Sequence, residues 1–243
     1  MDNILIRRFE ELSQRAFDKN YITETGFLNL DEISTLKSLH LPSPVSLLGG
    51  YPQAERCIAC FGDITEDYLP PLACVKIEPL NAKFSDKLTH RDFLGALINL
   101  GIERSVLGDI IVKDNTAWLF CLKSISGYIT DSLSRVKHTS VKCEIIVEIP
   151  AFLITQPEGK EYNVSSLRAD AVTAAVYQLS RSSTADLFRQ GKIFINARLC
   201  EKEGTLLKEG DTVSVRGHGK YIFDTTVRTT KKDRLIVSLK VYQ

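Results

Sequence analysis

The residues best suited to chemistry lie between Ser180 and Lys220. Ser180-Arg181-Ser182-Ser183-Thr184-Ala185 opens the stretch, and Gly191-Lys192-Ile193-Phe194-Ile195-Asn196 follows. Gly210-Asp211 then leads into Thr212–Arg216, with Gly217-His218-Gly219-Lys220 behind it. The chemistry these types support is anion binding. Ser180 stands where its hydroxyl caps a helix, so Arg181 and Ser182 fall at the helix start, where free N–H groups and the positive dipole end favour a phosphate. Ala185 and Phe188 face inward, and Gly191 takes the left-handed cap that ends the helix. The run Lys192–Asn196 alternates, with Ile193 and Ile195 on one face and Lys192, Phe194 and Asn196 on the other. Gly210-Asp211 turns the chain into a second strand that ends at Arg216, followed by flexible glycines and Lys220. The RNA-binding residues expected from this pattern are Ser180, Arg181, Ser182, Lys192, Asn196, Arg216 and Lys220. His218, between two glycines, is either a further RNA contact or a solvated loop residue.

Other pairings imitate catalytic or metal sites and fail on spacing. Cys57-x-x-Cys60 has no second pair to complete a four-ligand zinc site, and a strand would send the two thiols to opposite faces. His90-Arg91-Asp92 imitates the kinase catalytic loop, but Leu97 stands where the required Asn belongs, and no Gly-rich loop or Asp-Phe-Gly accompanies it. Gly49-Gly50 lacks the following Gly-Lys-Ser/Thr of a nucleotide loop. We therefore expect no catalytic residue, no metal and no cofactor.

Charge is unevenly distributed. The whole chain has a net charge of +1. From Asn163 onward there are 14 Lys and Arg against 8 Asp and Glu, a surplus of six, whereas the remainder carries 17 against 22. The C-terminal part alone thus has a basic footprint suited to nucleic acid. The six cysteines sit mostly in apolar, strand-like runs, where a free thiol behaves as a small hydrophobe. No leader is expected at the polar Met1-Asp2-Asn3 start, and no run approaches the length of a membrane span. A reducing cytoplasm, no membrane partner and a monomer are the expectations.

The elements that must position these residues make an α+β chain in three parts. Residues 1–48 read as an N-terminal helical segment. Leu5, Phe9, Leu12 and Ala16 fall at helical spacing, and Asn29 with Glu32 marks a second helix start, stopped by Pro42 and Pro44. Residues 49–155 read as strand and helix in alternation. From Leu72 the order is βαββαβ, the split-βαβ (RRM-like) arrangement. A capping box at Thr89 and Asp92 starts its first helix, an Asp114-Asn115 turn joins two strands, and Val141–Ile149 alternates as the last one. This is the element order of the RNA-recognition motif without that motif's aromatic, glycine-rich signature. Trp118 and Phe120 share a strand face, where they either stack on bases or, the favoured reading, pack in the core. Gln156-Pro157-Glu158-Gly159-Lys160 marks the boundary, and residues 160–243 form the third part, closed by a hairpin around Lys231-Lys232-Asp233.

That third part resembles the RNA-binding domain named after ribosomal small-subunit protein four, here the S-4 domain. The matching features are Arg168-x-Asp170 on the first helix, the Ser-Arg-Ser start of the second, Gly191-Lys192 with Asn196, and the Gly210-Asp211 turn; the resemblance adds Arg168 to the expected RNA-binding residues. Ala197 departs from the Gly often found after that Asn. Across the chain, Thr25-Gly-Phe-Leu28, Gly49-Gly50-Tyr51 with Ala54-Glu55-Arg56, His90-Arg91-Asp92 with Leu94-Gly95-Ala96-Leu97, and Ser165-Ser166-Leu167-Arg168 together resemble the YlmH family of bacterial RNA-binding proteins. The resemblance implies a non-enzymatic cytosolic factor that binds rRNA and tRNA on stalled large ribosomal subunits in ribosome-associated quality control. Two other classes compete: an RNA-modifying enzyme with an appended S-4 domain, and a cell-division or interaction factor.

Overall fold

The computed structural model describes residues 3–230 and 233–242. It is a mixed α/β protein whose strands pair antiparallel in three sheets. Two compact units emerge: Met1–Asn29 with Leu39–Ile154, and Leu30–Ser38 with Thr155–Gln243.

In the first unit, α1 (Asn3–Lys19) turns Phe9, Ser13 and Ala16 inward. Residues 1–48 are not helical throughout, as the sequence suggested. Thr23–Leu28 forms β1, and Val45–Leu48 forms β2; both pair with β3 (Cys57–Phe61). The reason lies in side chains that favour a half-buried pleat. Thr23, Thr25, Phe27 and Leu28 are buried, and Thr25 Oγ1 accepts the Ala59 N–H at 2.9 Å. Between β1 and β2, Leu30–Leu36 forms α2, which belongs to the second unit.

A five-stranded sheet follows. Its elements are β4 (Leu72–Pro79), α3 (His90–Asn99), β5 (Leu107–Lys113), β6 (Thr116–Leu122), α4 (Lys123–Ser132), β7 (Arg135–Val136) and β8 (Thr139–Ile146), with strand order β5-β6-β4-β8-β7. Local signals explain most of it. Thr89 caps α3, and the Asp92 carboxylate accepts the Thr89 N–H at 2.8 Å. Asp114 and Asn115 both take positive φ in the hairpin turn, as a two-residue turn between twisted strands requires. One sheet face packs Val75, Ile77 and Leu119 against Phe93 and Leu97 of α3 and Ile129 of α4. Each such side chain contributes roughly 1.5–3 kcal/mol when fully buried.

The other face is covered over its aromatic part. Cys74, Trp118 and Phe120 pack with Phe27, Ile58 and Cys60 of the three-stranded sheet. The Tyr51 ring stacks on Phe120 with centroids 4.8 Å apart, and Phe152, on the one-turn helix α5 (Ala151–Ile154), meets Trp118 edge-on at 4.9 Å. Trp118 and Phe120 are therefore interior residues here. One detail differs from the sequence reading: the last strand stops at Ile146. Beyond it Val147 is 94% exposed, although it keeps phase with the buried Val141.

The second unit contains β9 (Gly159–Val164), α6 (Ala169–Tyr177), α7 (Arg181–Arg189), β10 (Ile193–Ile195), β11 (Arg198–Leu199), β12 (Thr212–Val215), β13 (Gly219–Thr229) and β14 (Leu235–Tyr242). They form one sheet in the order β11-β10-β12-β13-β14-β9. The polar stretch expected as a boundary thus contributes a strand, because Gly159–Val164 pairs along β14. Lys231 and Lys232 of the expected closing turn lie outside the described residues. Val172 of α6 and Leu187 and Phe188 of α7 join Val213, Tyr221, Phe223 and Val237 in one core.

The helix α2 docks on this unit. Leu199 N–H donates to Ser34 Oγ at 2.9 Å, Arg198 Nη2 to the Lys37 carbonyl at 3.1 Å, and Lys37 Nζ to the Asn196 carbonyl at 2.8 Å. Phe194 consequently corrects the sequence reading. It does alternate with Ile193 and Ile195, but it is fully buried rather than displayed on a polar face. The Arg216 guanidinium lies 4.8 Å from its ring centroid and reaches Asp31 of α2 at 2.8 Å.

The β10–β11 turn is where the sequence departs from the S-4 pattern. Asn196 and Ala197 take φ of 51° and 57°. Asn tolerates this left-handed region, whereas Ala is strained by about 1 kcal/mol there. Ala197→Gly is therefore expected to stabilise the second unit by about 0.5–1 kcal/mol, measured as a raised urea midpoint with an unchanged slope. A lowered midpoint would contradict this account of the turn.

Candidate nucleic-acid interface

Sequence grouped eight polar residues as one surface; the structure distributes them over two places in the second unit. The first is a groove of about 670 Å³ along α6, the start of α7 and the ends of β9 and β14. Arg168, Asp170, Arg181, Glu203, Asn163 and Arg234 contribute its polar lining. Ser180 caps α7 as expected, accepting the Ser183 N–H at 3.1 Å. Arg181 follows as the exposed first helical residue, with no ion-pair partner among the described residues. Ser182 is exposed beside it, its hydroxyl 2.9 Å from that of Ser180. A guanidinium exposed at the start of a helix is suited to a phosphate.

Arg168 is less free. Its Nε and Nη2 donate to the two Asp170 carboxylate oxygens at 3.0 and 2.9 Å, and that pair raises the guanidinium pKa further. Arg168 thus presents its remaining N–H groups from a fixed fork. Arg234 was not singled out in the sequence. It donates Nε to the Asn163 side-chain oxygen at 2.6 Å and Nη2 to the Asn163 carbonyl at 3.2 Å, which fixes a third guanidinium in the groove. Asn163 and Arg234 are 71 positions apart. Only the β9–β14 pairing brings them together, so no local motif could have revealed them.

The second place lies around β10, β12 and β13. The Arg216 N–H donates to the Lys192 carbonyl at 3.0 Å, which sets those two residues side by side. Lys192 is half-buried, and Lys220 lies 5.1 Å from the Tyr242 ring centroid. Arg216 is engaged with Asp31 and Phe194. Asn196 is a turn anchor: its side-chain amide donates to Asp211 Oδ1 at 2.8 Å, and its side-chain oxygen accepts the Thr212 N–H at 3.0 Å. The Tyr177 and His218 rings lie 5.4 Å apart, giving the loop histidine a packing neighbour.

The motifs that imitate enzymes have structural occupations. Asp109 accepts the Glu55 and Arg56 N–H groups at 2.7 and 3.2 Å and the Tyr51 hydroxyl at 2.9 Å, so a carboxylate already fills the cradle after Gly49-Gly50. Asp92 of His90-Arg91-Asp92 is engaged by Thr89 and by Lys137 at 2.9 Å, and these contacts hold its pKa down to about 2. Cys57 and Cys60 are both buried in β3, with Cys60 Sγ 3.6 Å from the Tyr68 hydroxyl. Burial pushes the Cys74 and Cys121 thiols up to about 12, far from a nucleophilic thiolate.

A mixed α/β chain with an arginine-lined groove in its basic part fits a nucleic-acid-binding protein, and comparison with known proteins points the same way. Residues 60–148 match the family described as "Putative RNA-binding domain in YlmH". The chain is 29% identical over 225 residues to the "Ribosome-associated protein quality control protein P2" of Bacillus subtilis (strain 168), covering 89% of this chain and 86% of that one. Its fold is similar to the solved "Cell division protein ylmH from Streptococcus pneumoniae", with a TM-score of 0.50 and 23% identity, over 63% of this chain and 94% of that one. The first two matches support a YlmH-family RNA-binding protein, the family whose motifs the sequence resembles.

Proposed function

We propose that the protein is a non-enzymatic, cytoplasmic RNA-binding factor of ribosome-associated quality control. It binds rRNA and tRNA on stalled large subunits, as a monomer. The observation that carries the RNA-binding part is the groove with Arg168, Arg181 and Arg234 beside the Ser180-capped helix start. The ribosomal part is supported by the name of the Bacillus subtilis relative. The order of elements in the second unit agrees with an S-4 domain: two helices, then the Gly191–Asn196 strand and the Gly210-Asp211 turn. The strand order β5-β6-β4-β8 agrees with a split-βαβ, RRM-like middle domain. Phosphate contacts position a protein without specifying sequence. An RNA grip in one unit linked to a second contact elsewhere raises effective affinity and selects a composite target.

The test is sedimentation of the full chain with ribosomal subunits on sucrose gradients at low salt. Co-sedimentation with large subunits is expected, and more of it when peptidyl-tRNA remains on them. Migration with small subunits alone, or retention at the top of the gradient, would remove the ribosomal assignment.

A further inference from the structure

The family match covers the five-stranded sheet and its two helices, and the aromatic side chains of that sheet are packed away from RNA. On one side lie α3 and α4, and on the other Tyr51 covers Phe120 while Phe152 meets Trp118. Base stacking on those rings is thus blocked, and an RNA contact within residues 60–148 falls to exposed charged side chains. One group of these lines a concave surface. A groove of about 520 Å³ runs between the outer face of α3 and the chain that leaves α4 for β7. Arg91 enters it from the first turn of α3, and Arg135 and Lys137 enter from β7 and the turn after it.

Its charge is positive and largely uncommitted. Lys137 pairs with Asp92, the groove's one carboxylate, and Thr89 engages that same carboxylate. Arg91 and Arg135 are exposed and have no ion-pair partner among the described residues. The floor is small. Gly95 sits in mid-helix, exposed, and a Cβ built on it would meet nothing within 4 Å. A glycine in a helix interior is a standing cost relative to alanine, and no neighbour in this unit demands it. Close approach of something else to the α3 backbone gives it a use.

We propose that this groove is a second RNA-backbone site, in which Arg91 and Arg135 each take a phosphate and Gly95 lets the strand lie against α3. This rests on the reading of the chain as an RNA-binding protein. It adds a contact on the first unit, whose net charge would not by itself attract RNA, and it supplies the second grip that a composite target requires.

The test uses the full chain and purified rRNA from large subunits, with binding measured over a salt series. Three variants are compared with the natural chain: the double Arg91→Gln/Arg135→Gln, Gly95→Leu, and Arg181→Gln as the arm for the other unit. The double variant is expected to bind about tenfold more weakly or worse, and to lose about 1.4 from the log–log salt slope, at ~0.7 per single-stranded phosphate. Gly95→Leu is expected to move two readouts in opposite directions. Leu favours the helix, so the melting temperature rises by about 1–3 °C, while the side chain fills the groove and binding weakens severalfold. Natural affinity and slope in both groove variants, with binding weakened only by Arg181→Gln, would overturn the groove and leave the RNA-binding reading standing. If the natural chain itself fails to bind rRNA, both readings fall.

Discussion

Phe194→Ala is expected to destabilise the second unit by about 3–5 kcal/mol, the range for removing a fully buried phenylalanine. The residue stands in a run that alternates like a surface strand, and that alternation puts it on the face of Lys192 and Asn196. In the structure it is entirely covered, with Arg216 over its ring and Arg216 itself held by Asp31 of α2. Truncation removes the ring and leaves a cavity under a guanidinium, so both transfer and packing are lost. Equilibrium urea unfolding followed by circular dichroism measures the effect. A loss below about 1 kcal/mol would mean that Phe194 is not the buried anchor that its surroundings indicate.

The second large effect separates residues grouped together by sequence. Arg181→Ala is expected to lower RNA affinity about tenfold at low salt, because a charge-assisted contact contributes roughly 1.5–3 kcal/mol. It should also flatten the salt dependence by about 0.7, and leave the unfolding midpoint unchanged, since the side chain is exposed at the start of α7. Asn196→Ala is expected to behave in reverse. It removes the bonds to Asp211 and Thr212 and puts a second alanine at positive φ. A stability loss of about 1–2 kcal/mol follows, with the salt slope intact. If Asn196→Ala instead flattens the slope while the midpoint stays put, Asn196 contacts RNA and the turn-anchor role is wrong.

What could be read from the chain, and what could not, follows from the range of each interaction. Caps and turns are written within four or five residues. Ser180, the Thr89–Asp92 box and the Asp114-Asn115 hairpin all stand where local pattern placed them. The order of strands and helices from Leu72 was legible for the same reason, since each has its own periodicity. β1 was missed because Thr23–Leu28 is short and its apolar residues do not strictly alternate. The candidate site was legible where a helix start makes it, at Ser180, Arg181 and Ser182. It was not legible where pairing across the sheet makes it, as with Asn163 and Arg234. Nor could pattern show that Arg216 and Asn196 are engaged within the unit, because the partner of Arg216 comes from a helix near the other end of the chain.

That helix has a consequence in time. Arg198 and the Lys37 carbonyl that it meets are separated by 161 positions. A ribosome adding about 5–20 residues per second delivers the docking strand roughly 8–30 s after α2 has been made. Throughout that interval Ser34 and the Lys37 carbonyl, which meet Leu199 and Arg198 in the finished protein, have no strand to meet. The first unit has had its last strand, β8, for several seconds by then. The growing chain therefore carries α2 without its strand partners through most of its own synthesis, and the C-terminal unit closes only when a segment made near the beginning is returned to it.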